Sequence, residues 1–138
     1  MSEPIRAGVL GVGSLGRYHA QKFAAHGEAE LVGVFDPDME RAQAVAAEVG
    51  CVAFPDAGSL VEEGVDAVTI AAPTEVHADL GVHCLNAGAH VLMEKPIAGT
   101  LAEADDLLAA ADASGQILQV GHLKRFHPGV RRMAEQGW

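Results

Sequence analysis

Short apolar runs alternate along this chain with longer, alanine-rich stretches, the spacing of repeated strand–helix units that build a parallel sheet. Residues 7–12 predict a first strand and 15–25 a first helix, and 31–35 predict a second strand ending at Asp36-Pro37. Asp38 can cap a helix that runs to about Val49 and stops at Gly50. A short strand near 52–54 and a turn of helix around 59–63 follow. Residues 67–71 are apolar but for Thr69, as expected of a central strand buried on both faces. Thr74 is placed to cap the next helix, which ends near Ala87-Gly88, and 90–93 predict a fifth strand. Thr100 with Glu103 spells a capping box; that helix stops at Ser114-Gly115, and 117–120 predict a sixth strand. Right-handed crossovers then give an α/β fold, a doubly wound parallel sheet of strand order 3-2-1-4-5-6. A further helix starts after Pro128 (Val130, Arg131, Met133, Ala134) with nothing evident to pack on. The pattern shows no internal repeat beyond this alternation and no low-complexity linker.

The turn between the first strand and the first helix reads Gly11-Val12-Gly13-Ser14-Leu15-Gly16, and acidic Asp36 stands about twenty residues past its last glycine. Gly11 allows the sharp turn from strand to helix. Gly13 lets bare backbone approach a pyrophosphate, and Gly16 lets the helix pack close to the sheet. The helix start, with Ser14 and Leu15, offers unpaired N–H groups to phosphate charge. Asp36 would accept hydrogen bonds from the adenosine ribose hydroxyls. A glycine turn alone is weak evidence. The run before it, the helix after it and the acid at the right distance together point to a dinucleotide. The acid favours NAD over NADP, because a carboxylate repels a 2′-phosphate and no Arg or Lys follows until Arg41.

Gross properties narrow the partners. The length of 138 residues suits one domain, and a hydrophobic content of 49% is enough for a core. Nine basic against 19 acidic side chains leave a net charge of −10, which argues against nucleic acid or an anionic membrane surface as partner. Cofactor phosphates must then be held by backbone amides. No apolar stretch approaches bilayer-spanning length, and the start, Met1-Ser2-Glu3-Pro4-Ile5-Arg6, is unlike a signal peptide, so a cytoplasmic protein is expected. Cys51 and Cys84 are isolated and read as reduced cysteines, and no His, Cys or acidic cluster has metal-ligand spacing.

Parallel sheets of this kind bind ligands at the carboxyl ends of their strands. Pro73-Thr74-Glu75-Val76-His77, Glu94-Lys95-Pro96 and Gly121-His122 all fall at those ends. A lysine beside a cationic nicotinamide is a plausible proton shuttle for a substrate hydroxyl, with Pro96 fixing the turn that aims it and a cis Lys95–Pro96 bond conceivable. Lys95 could equally be a solvated surface lysine. His77 could touch the cofactor loop or simply sit in the first turn of its helix. His19 reads as packing or hydrogen-bonding near the glycine turn, without a direct chemical role, and His83 and His90 as structural or exposed.

With Gly11-x-Gly13-x-x-Gly16-x-x-His19, Asp36, Pro73-Thr74-x-x-His77, Glu94-Lys95-Pro96 and Gly121-His122-x-x-Arg125-Phe126-x-Pro128 in this order, the chain resembles the Gfo/Idh/MocA oxidoreductases. The resemblance covers nearly the whole chain. It implies NAD(P)-dependent hydride transfer to or from a hydroxyl of a sugar, cyclitol or nucleotide sugar. It implies that Lys95 is catalytic, that Glu94 helps to orient the site, and that the Pro73–His77 loop flanks the cofactor. Residues 121–128 look like the matching stretch of UDP-N-acetylglucosamine 3-dehydrogenase relatives, with His127 where those carry Asn; His122 and Arg125 are the candidate substrate contacts. Family members carry a second α/β domain that builds the substrate pocket and mediates oligomerisation, and this is missing here. The expected organisation is therefore a dinucleotide-binding Rossmann domain over 1–122, and over 123–138 the start of a connection to an absent domain. Cofactor binding without efficient turnover is the expectation for the chain alone. The alternative is a non-catalytic NAD-binding or redox-sensing module, or a chain that forms homo-oligomers through uncovered apolar surface.

Overall fold

A computed structural model of the protein describes residues 3–137; Met1 and Ser2 of the opening segment and Trp138 of the closing one lie outside the described residues. The elements run β1 (Ile5–Leu10), α1 (Ser14–Ala25), β2 (Ala29–Phe35), α2 (Met39–Val49), β3 (Val52–Phe54), α3 (Ala57–Glu62), β4 (Ala67–Ile70), α4 (His77–Asn86), β5 (His90–Met93), α5 (Leu101–Ser114), β6 (Leu118–Val120) and α6 (Pro128–Glu135). The six strands lie in the order β3-β2-β1-β4-β5-β6, every pair parallel, as the pattern predicts.

Strand alternation sends successive side chains to opposite faces, and each face has its own core. Leu10, Val68, Ile70, Val91 and Met93 pack with Leu60 of α3, Leu85 of α4 and Leu107 of α5. Val9 and Val34 pack on the other face with Ala20 of α1 and with Ala42, Val45 and Ala46 of α2. The alanines matter here, since small side chains let these helices lie close to the sheet. Gly81 does the same between α4 and α5, where an added Cβ would stand 2.4 Å from Leu107 Cδ2.

The helix ends follow the expected chemistry with one exception. Asp38 accepts from the Arg41 amide at 3.1 Å and caps α2, which closes on Gly50 at φ 77°. Thr100 and Glu103 form the full capping box of α5. Thr74, however, caps nothing. Residues Thr74–Val76 form a separate 3-10 turn and α4 begins at His77 without a side-chain cap. The chain leaves Pro73 as a tight turn, so the first amides of α4 are met by backbone and not by the hydroxyl. The first strand also ends earlier than predicted: Gly11 and Val12 have left the ladder, because Gly11 at φ 86° turns the chain out of the sheet.

Burial pushes the Cys51 thiol up to about 11 and the Cys84 thiol to about 12, so both stay protonated near neutral pH and are poor nucleophiles. No described helix is long and apolar enough to cross a membrane. In α6 no described residue is buried, and Val130 and Met133 remain exposed.

Candidate cofactor site

The glycine turn joins β1 to α1 at the carboxyl edge of the sheet. Gly11 donates its amide to Phe35 O (2.7 Å), which ties the turn to the end of β2. The first backbone bond of α1 runs from Arg17 N–H to Gly13 O (2.9 Å). The amides of Gly13, Ser14, Leu15 and Gly16 therefore have no acceptor among the described residues. Gly13 caps the helix without a side chain, and its first turn carries no acid. An anion placed there meets free N–H groups, the positive end of the helix dipole and no competing carboxylate.

The glycines differ in what they permit. A Cβ on Gly13 would meet nothing within 4 Å, so this is the open side where a ligand can approach the backbone. A Cβ on Gly16 would fall 1.7 Å from Gly11 O, which means the first turn of α1 rests directly on the strand-to-helix turn. Both roles agree with the spacing argument.

Asp36 ends β2 and is only 5% exposed. Its Oδ2 accepts from the Val12 amide at 2.9 Å and its Oδ1 from the Asp38 amide at 2.9 Å. Arg41 places Nη1 3.4 Å from both carboxylate oxygens and Nη2 3.4 Å from Asp38. The carboxylate is thus oriented before any ligand arrives. The pocket it borders is lined by Gly11, Gly13, Phe35, Arg41, Ala72, Pro73 and Val76, so an apolar slot and a phosphate cradle adjoin one fixed acid. Those are the needs of an adenosine diphosphate moiety, and the residues present fit it.

The remaining sequence candidates gather around the ends of β4, β5 and β6. Pro73 lines the pocket and Thr74 follows it in the 3-10 turn. His77 is 1% exposed; its Nδ1 lies 2.9 Å from Pro96 O and its Nε2 2.8 Å from Ala72 O. The ring thus bridges the loops after β4 and β5, supporting the cofactor pocket from behind without lining it. Glu94 is nearly buried and bonded to His19, Lys95 beside it is exposed, and the Lys95–Pro96 peptide is cis. His122 and Arg125 are exposed beyond β6. The half-exposed Leu15 side chain is a hydrocarbon with no donor, so this residue can offer a phosphate only its backbone amide. His90, read as structural or exposed, accepts the Ile117 amide through Nδ1 at 3.0 Å and so buttresses the start of β6. Sequence reasoning missed Arg41 as part of the Asp36 cluster. The signal was available: Asp36 and Arg41 flank the first turn of α2, close enough for an arginine to reach back.

Comparison with known proteins agrees with this geometry. Residues 5–122 match the model of the oxidoreductase family with the NAD-binding Rossmann fold. The chain is 46% identical over 134 residues to a UDP-N-acetylglucosamine 3-dehydrogenase of Acidithiobacillus ferrooxidans, covering 97% of this chain and 42% of that protein. A solved structure of that enzyme superposes with TM-score 0.91 over 99% of this chain and 44% of its own. A scyllo-inositol 2-dehydrogenase (NAD(+)) of Bacillus subtilis is 37% identical over 131 residues, covering 93% of this chain and 38% of the relative. A scyllo-inositol dehydrogenase of Lactobacillus casei, solved with bound NAD(H) and scyllo-inositol, gives TM-score 0.89 at 27% identity, covering 98% of this chain and 42% of that one. The chain spans about two fifths of the length of the curated relatives it matches. The glycine cradle, the buried acid at the end of β2 and the strand order are together those of a dinucleotide fold, and the chain belongs to the Gfo/Idh/MocA oxidoreductase family.

Proposed function

We propose that this chain is the cofactor-binding half of an NAD-dependent oxidoreductase acting on a hydroxyl of a sugar, cyclitol or nucleotide sugar. The observation that carries the reading is the pairing of an uncapped α1 N-terminus with a pre-oriented Asp36 on one pocket. Gly13 to Gly16 would bind the diphosphate through backbone amides, and Asp36 would take the adenosine ribose hydroxyls on its remaining lone pairs. NAD supplies hydride chemistry at its nicotinamide when bound. Lys95, exposed at the end of β5, would hold or pass the substrate hydroxyl proton at Nζ, with Glu94 beside it. His122 and Arg125 stand past β6, on the side where a substrate would meet the cofactor. Residues 123–137 would lead toward a substrate-bearing part, which suits a helix α6 that buries nothing of its own.

NADH added to the purified chain should show enhanced or shifted fluorescence and raise the melting temperature. If neither changes at millimolar cofactor, the reading is wrong. Arg41 supplies a finer test of cofactor choice. It places positive charge 3.4 Å from Asp36, offsetting part of the repulsion a 2′-phosphate would feel. The chain should bind NADH more tightly than NADPH, and Arg41→Ala should widen that preference severalfold, mainly by weakening NADPH. Equal titration curves for both cofactors in both proteins would exclude Asp36 and Arg41 as the discriminating pair.

A further inference from the structure

A second recess, of about 550 Å³, adjoins the pocket beside Asp36 and shares Gly13 and Arg41 with it. Val12, Ser14, Arg17 and Glu48 also line it. Arg41 and Glu48 stand two turns apart on one face of α2, and Ser14 and Arg17 belong to the first turn of α1, so the recess runs between the two helices. Two guanidinium groups thus border one small space in a chain of net charge −10. Neither is idle. Arg41 lies 3.4 Å from Asp36 and from Asp38. Arg17 donates from Nε to Glu48 Oε2 at 2.8 Å and from Nη2 to Oε1 at 3.1 Å, and Gln21 adds a third donor to Oε1. Those bonds, from Arg17 first and then Gln21, hold the Glu48 carboxyl below its ordinary value, so the acid is ionised and the Arg17 charge is matched.

We propose that Glu48 is a specificity-determining residue that engages Arg17 and so keeps this recess from taking a phosphate carried on the 2′ oxygen of the adenosine ribose. This rests on the NAD-binding reading above, which sets that ribose against Asp36. A group carried on the ribose stands where the two recesses join, at Gly13 and Arg41. A free guanidinium suits a phosphate there, because its forked donors can meet two oxygens at once. Arg17 has its fork on Glu48 instead, and the carboxylate adds its own repulsion. Asp36 and Glu48 therefore act on one discrimination in different ways. Asp36 repels the phosphate directly, and Glu48 withholds a cation from it. The Arg17 and Glu48 side chains are 54% and 36% exposed, so water screens the pair and its release is worth a severalfold change in affinity.

The test compares 2′,5′-ADP, which carries the extra phosphate, with ADP, which lacks it, by calorimetric titration. Glu48→Gln keeps the side-chain volume and one oxygen acceptor and removes the charge. It should tighten 2′,5′-ADP about threefold to fivefold and leave ADP within about twofold. Asp36 still repels, so the preference for ADP narrows without reversing. Arg17→Gln in the Glu48→Gln background should take the gain away, and added salt should shrink it, since the contact is exposed. Glu62→Gln removes the same charge from an exposed position on α3, outside both recesses, and should change neither ligand. An unchanged ratio of the two affinities in Glu48→Gln overturns the proposal. So does a gain that survives without Arg17. An equal gain in Glu62→Gln overturns it too, because net charge alone would then account for the effect. If the unaltered chain binds neither ADP nor NADH, the NAD-binding reading itself fails and takes the proposal with it.

Discussion

Gly16→Ala should abolish measurable NADH binding and lower the melting temperature by on the order of 10 °C. The added methyl would lie 1.7 Å from Gly11 O and 2.7 Å from Gly11 C, against ordinary contacts near 3.4 Å. Gly11 cannot retreat. Its own φ of 86° is held where a Cβ would already meet the Ala72 amide at 2.7 Å, and its N–H is bonded to Phe35 O. The first turn of α1 must therefore lift away from the sheet. Overpacking of this kind costs about 3 kcal/mol where backbone has to move. The same displacement carries the free amides of residues 13–16 off the proposed diphosphate position, so stability and binding should fall together. Circular-dichroism melts with an NADH titration give both readings. A Gly16→Ala chain that melts and binds like the parent would show that α1 does not rest on the glycine turn. Gly13→Ala is the control, since its Cβ meets nothing within 4 Å and stability should barely change.

Asp36→Ala should be the second largest loss, for a different reason. The carboxylate is buried and accepts from the Val12 and Asp38 amides. Removing it strands the Val12 N–H, at a cost of about 1–3 kcal/mol for a buried unpaired donor. It also removes the proposed ribose acceptor, which should weaken NADH about tenfold to a hundredfold. Asp36→Asn separates the two effects. Its side-chain oxygen can still accept the Val12 amide, so most of the stability should return while NADH affinity stays reduced. Melting curves and NADH fluorescence on both variants decide the point. Wild-type affinity in Asp36→Asn would mean that Asp36 braces the loop without touching the cofactor.

Much of this architecture was legible residue by residue. The apolar run over 67–71, interrupted only by Thr69, announced a strand covered on both faces, and β4 lies between β1 and β5. Asp38, Gly50, Thr100 and Gly115 stand where their local backbone chemistry puts them, because a cap depends on residues within a turn of one another. Thr74 failed as a cap for the same reason in reverse. Pro73 allowed two local outcomes, a capped helix or a 3-10 turn, and burial of His77 against Ala72 and Pro96 selected the second. His77 stood open between a cofactor contact and a plain helix start. Only packing showed it as a brace between two loops.

The sequence by itself determined the order of strands and helices, the glycine turn with its acid, and the net charge of −10. Those features rest on periodicity, turn chemistry and charge, all of which act over short spans. Tertiary structure alone decided that Asp36 locks the Val12 amide and shares Arg41, that His19 reaches Glu94 across 75 residues, and that Gly121 lies beneath the same carboxylate. Such contacts depend on how strands align side by side and how far each loop turns. Hydrophobic pattern sets which face a side chain takes, but leaves its partner across the sheet to be chosen by packing.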